Sequence, residues 1–308
     1  MYQIFNRSVV SDLALPELET RPADEALPRI AVTRYTDEFP ASLDWVHHWR
    51  NEKDEIDISL SFIDLEGQSQ YLLRFPETAD FLVNREGNLI RYRPFTDVPD
   101  NTVRHLLLDQ VIPRTLGQQG DLVLHASSVH LPGAGAILFV APSGSGKSTL
   151  AASFVESGAD LISDDCIMVL LSQPATAIAS YDGLRLFPDS IAATKGSTGQ
   201  KVSHYSDKRR FQPTGSWQRN QSIVAVFLLG QSTEIKVTAT RAAKDLMTLI
   251  NQTFLLDVTD KNLIKTQFSN LTRFIDRLPL FSVHYPHDHA RLPEVVRAIR
   301  CAATQPEL

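Results

Sequence analysis

Apolar and polar residues alternate with period two through much of the first 95 positions. Residues 30–35, 55–63, 70–75 and 88–92 show this pattern, which predicts half-buried strands. Turn residues such as Glu66-Gly67 and Glu86-Gly87 separate them. Residues 1–30 are rich in Pro, Glu and Asp and read as an extended entry segment with one strand at residues 2–8. Residues 1–95 therefore predict a small, mainly antiparallel β module.

The period then changes. Val103, Leu106, Leu107, Val111, Ile112 and Leu116 recur at helical spacing after Asp100 and Asn101, either of which can cap a helix. Pro113 is expected to kink or end this helix, and residues 117–120 close it. A second region begins near residue 121. Residues 122–130 read as one strand that turns at Pro132-Gly133-Ala134-Gly135 into a buried strand over 136–140. A helix over 147–157 follows, ended by Gly158. Residues 160–171 predict the next strand. Residues 223–229 are wholly apolar and predict a central one. Helices are predicted over 242–250 and 260–277, and a final strand over 281–285.

Between the strand ending at Val140 and the helix beginning at Lys147 lies Ala141-Pro142-Ser143-Gly144-Ser145-Gly146-Lys147-Ser148. This is the Gly-x-x-x-x-Gly-Lys-Ser phosphate-loop pattern with its first glycine replaced by Ala141. Small residues at Ser143, Gly144, Ser145 and Gly146 let successive N–H groups point into one concavity, and the helix offers its positive end to the same anion. Lys147 is suited to the β- and γ-phosphates and the Ser148 hydroxyl to Mg²⁺, with Thr149 beside it. The loop predicts binding of a nucleoside triphosphate such as ATP. By itself it does not distinguish hydrolysis, transfer and sensing.

Asp164-Asp165 interrupts an apolar stretch, with Leu161-Ile162 before it and Ile167-Met168-Val169-Leu170 after it. Two adjacent carboxylates on a buried strand are costly unless a cation or hydrogen bonds compensate. Neighbours on a strand face opposite ways, so one, Asp164, is a candidate to face the nucleotide and metal while the other is held differently. His125 precedes the turn into the loop strand, and an antiparallel neighbour at that position comes close to the loop.

Charge narrows the function classes. The 308 residues carry 30 basic and 36 acidic side chains, a net charge of −6, which argues against a dedicated nucleic-acid binder. Residues 1–120 hold 12 basic and 20 acidic groups, a balance of −8, and residues 121–308 hold 18 and 16, a balance of +2. The loop lies in the half that better suits a polyanion. With 43% hydrophobic residues a packed core is expected. The two cysteines, Cys166 and Cys301, show no metal or disulfide spacing and fit a reducing cytoplasm. The first residues do not read as a signal peptide, and no apolar run is long enough to span a membrane.

His125, the loop and Asp164-Asp165, in that order and spacing, resemble HPr kinase/phosphorylase, whose fold is related to phosphoenolpyruvate carboxykinase. The matching stretch covers residues 122–170 and includes Gly158-Ala159-Asp160-Leu161-Ile162-Ser163-Asp164-Asp165. The resemblance implies an α/β fold: an HPr kinase C-terminal-like phosphate-loop domain over 121–308, with a smaller, mainly β module and linking helix over 1–120. It implies an ATP- and Mg²⁺-dependent kinase that phosphorylates a serine hydroxyl of a peptide or small protein. Lys147 would bind the transferring phosphates, Ser148 the magnesium, and Asp165 would act as general base with Asp164 and His125 flanking it.

The chain departs from that pattern where the family carries Glu-x-Arg-Gly. Here the equivalent stretch is Ser180-Tyr181-Asp182-Gly183-Leu184-Arg185, with Asp182 as a candidate second magnesium ligand. The family's phosphorolysis loop is not recognisable. Residues 181–189 and Tyr205-Ser206-Asp207-Lys208-Arg209-Arg210 are similar to divergent HPr kinase-like proteins that phosphorylate precursor peptides of natural products, lasso peptides included. A small-molecule hydroxyl kinase and a nucleotide-dependent binding module or switch are the alternative readings. A homo-oligomer is compatible with all three.

Arg185 and the run Lys208-Arg209-Arg210 are candidates to clamp phosphates or an acceptor carboxylate. Residues 195–201 predict a mobile loop. His284, His287 and His289 resemble a metal cluster in composition, but Pro286 and the lack of a matching acid or cysteine set favour a surface turn.

Overall fold

The computed structural model describes residues 1–304 except Glu38, Pro40, Ala41, Glu52, Glu66, Ala193, Lys195, residues 214–216 and Ala242. Glu66, Lys195 and Ala242, invoked above, therefore lie outside the described residues. The fold is mixed α/β, with two large sheets and few helices. It divides into two compact units: Met1–Gly120 with Ser203–Tyr205 and Leu255–Ile264, and Asp121–Val202 with Ser206–Phe254 and Lys265–Leu308.

The first unit holds a nine-stranded sheet among the described residues. The strand expected over residues 2–8 is instead a hairpin of Tyr2–Ile4 and Arg7–Ser11. Phe5 and Asn6 turn it with φ of 48° and 53°, the left-handed pair that matches strand twist in a two-residue loop. Trp45–Arg50 and Ala79–Val83 are further strands that the alternation did not reveal. Every residue of Ala79–Val83 is buried, so no polar face marks it. Asp80 within it is held by Arg74, Nε to Oδ1 at 2.7 Å and Nη2 to Oδ2 at 2.9 Å.

The expected helix runs on through Pro113. Asp100–Leu106 is α-helical, Leu107–Val111 forms a π turn, and Ile112–Gln118 resumes the α-helix. The π turn restarts the hydrogen-bond register and places Pro113 in the first turn of the new segment, where a missing N–H costs nothing.

In the second unit, Leu122–Leu124, Ile167–Leu170, Thr176–Ala179, Asn220–Gln231, Gly135–Val140, Ala126–Leu131 and Asp160–Ser163 lie side by side in that order. Gly135–Val140 and Leu280–Tyr285 both pair in parallel with Asn220–Gln231. Two expected strands are each broken in two. Residues 122–130 divide at His125, and residues 160–171 divide at Asp164-Asp165-Cys166. In each case the break falls at a polar residue whose side chain and backbone bond outside the sheet ladder. The helix Lys147–Glu156 packs on this sheet through Phe154, whose ring lies 5.2 Å from Phe139. Phe139 is 6.4 Å from Phe227, which stacks on Phe281 at 5.1 Å. Each buried phenyl ring contributes roughly 1.5–3 kcal/mol, so the loop strand stands on a firm aromatic base.

Residues 196–201, expected to be mobile, form a strand. Gly196–Lys201, Arg209–Pro213 and Leu184–Leu186 make a three-stranded sheet. Its inner face buries Leu184, Leu186 and Phe211, which the Gly/Ser/Thr composition of the outer strand could not announce.

Candidate functional site

Strand register assembles the site. Ala126–Leu131 pairs on one side with Gly135–Val140 and on the other with Asp160–Ser163. Ala126 sits opposite Val140, the last strand residue before the phosphate loop. His125 therefore lies beside the start of that loop. Ser128 sits opposite Ser163, which brings Asp164 alongside Ser127.

In the loop, Gly144 and Gly146 have φ of 76° and 84°, conformations that other residues rarely adopt. A Cβ at Gly146 would meet the Tyr285 hydroxyl at 3.1 Å. Gly146 caps the helix that begins at Lys147. The buried Lys147 Nζ donates to Ala141 O at 2.7 Å and Pro142 O at 3.0 Å. Burial pulls its pKa down to about 8, against the attraction of Asp165 and Asp164.

Asp164 is buried and fully engaged. Its Oδ1 accepts from Ser127 Oγ at 2.5 Å and from Ser148 Oγ at 2.9 Å, and its Oδ2 accepts from Arg185 N at 2.9 Å. Burial, and then the neighbouring Asp165 carboxylate, push its pKa up. Asp165 differs. Its φ is 61°, so the alternation of faces expected for a continuous strand does not apply. The left-handed turn aims it at Arg185 and His125. Arg185 Nη1 lies 3.2 Å from Asp165 Oδ2 and His125 Nε2 lies 3.9 Å from Oδ1. Burial opposes its charge, but Lys208, Arg185 and His125 outweigh burial and hold its carboxyl well below the usual range. Of the adjacent pair, Asp165 carries the firm negative charge.

His125 is held from behind. Its backbone N–H donates to the Gln252 carbonyl at 2.7 Å, and its ring Nδ1 bonds Gln252 Oε1 at 3.0 Å. Gln252 Oε1 can only accept, so Nδ1 is a donor there, and Nε2 is the atom nearest Asp165. Gln252 and Phe254, whose ring meets the His125 ring edge-on at 6.3 Å, follow the helix Ala243–Asn251 and carry no sequence signal of their own.

One cavity of about 250 Å³ gathers most of these groups. His125, Ser143, Gly144, Gly146, Lys147, Ser148, Thr149, Asp165 and Arg185 line it, and so does Lys208. Asp164 lies behind Ser148, outside the lining. Ser145 is turned away, with its carbonyl near the Tyr285 hydroxyl at 3.4 Å. Thr149 Oγ1 bonds Ser190 Oγ at 3.0 Å. Of the basic run only Lys208 reaches the cavity, its ammonium 5.5 Å from the Phe187 ring. Arg210 donates to Asp182 O at 3.0 Å instead. Asp182 accepts from Gln212 and does not line the cavity.

Ser148 Oγ lines the cavity and bonds Asp164 Oδ1 behind it, and oxygen is the donor type that a hard divalent cation takes. No cluster of three His, Cys, Asp or Glu able to hold a metal occurs among the described residues. His287 and His289 do line the cavity, whereas His284 lies in the strand Leu280–Tyr285 and outside the lining. No helix among the described residues is long and apolar enough to cross a membrane.

The fold and site define a mixed α/β protein with a cavity at the glycine-containing loop over 143–149. No family model matches the chain, and no curated protein matches it. Among solved structures it is similar to the Hpr(Ser) kinase/phosphatase from Coxiella burnetii, at 9% identity and a TM-score of 0.32, covering 59% of this chain and 92% of that one. The functional reading therefore rests on the loop, the two aspartates and their partners.

Proposed function

We propose that this chain is an ATP- and Mg²⁺-dependent kinase that transfers a phosphoryl group to a serine hydroxyl of a peptide or small protein. One observation carries the reading. The phosphate loop and a carboxylate held by His125 and Arg185 face the same cavity, while the adjacent carboxylate holds the loop's Ser148.

Lys147 and the loop N–H groups bind and align the β- and γ-phosphates. Ser148, fixed by Asp164, would hold the magnesium, which supplies charge neutralisation on the phosphate oxygens. Asp165 accepts a hydrogen bond from the acceptor hydroxyl and orients it in line with the γ-phosphorus. The hydroxyl oxygen bonds to that phosphorus as the bond to the β-bridging oxygen breaks, and ADP leaves. Asp165 takes the hydroxyl proton late, as its low pKa requires, and releases it to solvent. Arg185 and Lys208 offset charge on the transferring group.

The resemblance of residues 181–189 and of Tyr205-Ser206-Asp207-Lys208-Arg209-Arg210 to precursor-peptide kinases favours a ribosomal natural-product precursor, such as a lasso precursor, as acceptor. The test is incubation with γ-labelled ATP, Mg²⁺ and candidate serine peptides. Asp165→Asn keeps nucleotide binding and loses transfer by about 100-fold or more. Full transfer by that variant, or label found on free metabolites with none on any peptide, overturns the proposal.

A further inference from the structure

The strand order separates the two flanks of the phosphate loop. His125 directly precedes Ala126–Leu131 and Asp165 follows Asp160–Ser163, two strands that lie on one side of Gly135–Val140. On its other side lies Asn220–Gln231, and beyond that Leu280–Tyr285. The chain leaving Leu280–Tyr285 returns to the same cavity, with Tyr285, His287, Asp288, His289 and Leu292 forming wall there.

A nucleoside triphosphate is long and has two chemically different ends. With its terminal phosphate at Asp165, its nucleoside leaves the loop on the opposite flank. The structure assigns that flank: we propose that residues 285–292 form the nucleoside subsite, with the His287 ring against the base and the Asp288 carboxylate on a ribose hydroxyl. This inference rests on the phosphate-loop reading above.

The turn is built to hold those groups still. The Tyr285 hydroxyl reaches the loop carbonyl of Ser145 at 3.4 Å and crowds Gly146. The His287 ring centroid lies 5.6 Å from that of Tyr285, inclined at 49°. Asp288 Oδ1 accepts from Ala290 N at 2.9 Å, and Asp288 O accepts from Arg291 N at 3.0 Å. One carboxylate oxygen thus pins the turn while the other can accept from a sugar hydroxyl. His287, Asp288 and His289 are exposed, and Leu292, which lines the same cavity, is buried. A planar imidazole beside an aromatic ring in the cavity wall suits a base, because every base has a face that stacks on aromatic rings.

Calorimetric titration of the full chain with ATP and with inorganic tripolyphosphate, both with Mg²⁺, tests this. The wild type is expected to bind ATP at least tenfold more tightly than tripolyphosphate. His287→Ala weakens ATP roughly five- to tenfold and leaves tripolyphosphate unchanged. Asp288→Asn, which can still cap the turn, weakens ATP alone by a smaller factor. Equal losses for both ligands mean that the turn only supports the loop and overturn the proposal, as does unchanged ATP affinity in both variants. Lys147→Ala should weaken both ligands. If the wild type binds neither, the phosphate-loop reading itself falls, whereas equal wild-type affinities sink only the nucleoside subsite.

Discussion

Ser148 Oγ donates to Asp164 Oδ1 at 2.9 Å, which ties the first turn of the phosphate-loop helix to the end of the next strand. The same oxygen accepts from Ser127, and the other accepts from the backbone of Arg185. Asp164 thus meets three donors and needs two acceptor oxygens. In Asp164→Asn, one acceptor becomes an NH₂ facing a donor. A partner that orients a metal-binding group typically changes metal affinity about 10–100-fold when removed. The expected outcome is a rise of that size in the Mg²⁺ concentration for half-maximal transfer, measured at saturating ATP. An unchanged Mg²⁺ requirement would count against this role.

Arg185 is 4% exposed, and its guanidinium lies 3.2 Å from Asp165 and 4.7 Å from the centre of the Tyr181 ring. Lysine cannot reproduce a planar fork that pairs and stacks at once. Arg185→Ala removes a cation that holds the Asp165 carboxyl low, so that pKa rises. Activity that depends on ionised Asp165 is then lost at a higher pH as the solution is acidified. The acid limb of the pH–rate profile should move upward in Arg185→Ala, and Arg185→Lys should restore it while transfer stays below wild type.

Burial lowers the pKa of Lys147 to about 8. In the proposed function its charged form binds phosphate, and that form is lost as pH rises. Affinity for tripolyphosphate should therefore hold below pH 8 and fall above it, approaching tenfold per pH unit. A lysine at its ordinary value of about 10.4 would keep its affinity two units further. Titration between pH 7 and 10 at fixed ionic strength separates the two cases.

The aromatic stack under the loop predicts where stability resides. Phe139 and Phe227 are fully buried and in contact. Replacing either with alanine should cost about 3–5 kcal/mol in denaturant unfolding. Leu170, 51% exposed at the end of its strand, should cost under about 0.5 kcal/mol on the same change.

Much of this site was legible in the residues. The phosphate loop is a local device: strand, glycines at left-handed φ, lysine and helix are contiguous, so their spacing carries their geometry. The helices Ala243–Asn251 and Lys261–Ile275 and the strand Gly135–Val140 follow their hydrophobic periods closely. Residues whose role comes from distant chain segments were not legible. Gln252, which sets the His125 tautomer, is 127 positions away from it. Ser127 looked like an ordinary strand residue, and His287 like part of a surface turn.

Chain-local physics is enough to predict a strand, a glycine-containing turn and a helix over 136–156, with a histidine before them and two carboxylates after them. Contacts between distant segments place the two carboxylates differently. The register of Ala126–Leu131 between its two neighbours, and the left-handed turn at Asp165, send one carboxylate behind Ser148 and the other to His125 and Arg185. Sequence pattern fixes which residues alternate or recur. It cannot fix where a strand breaks when the break is stabilised by side chains contributed from elsewhere in the chain.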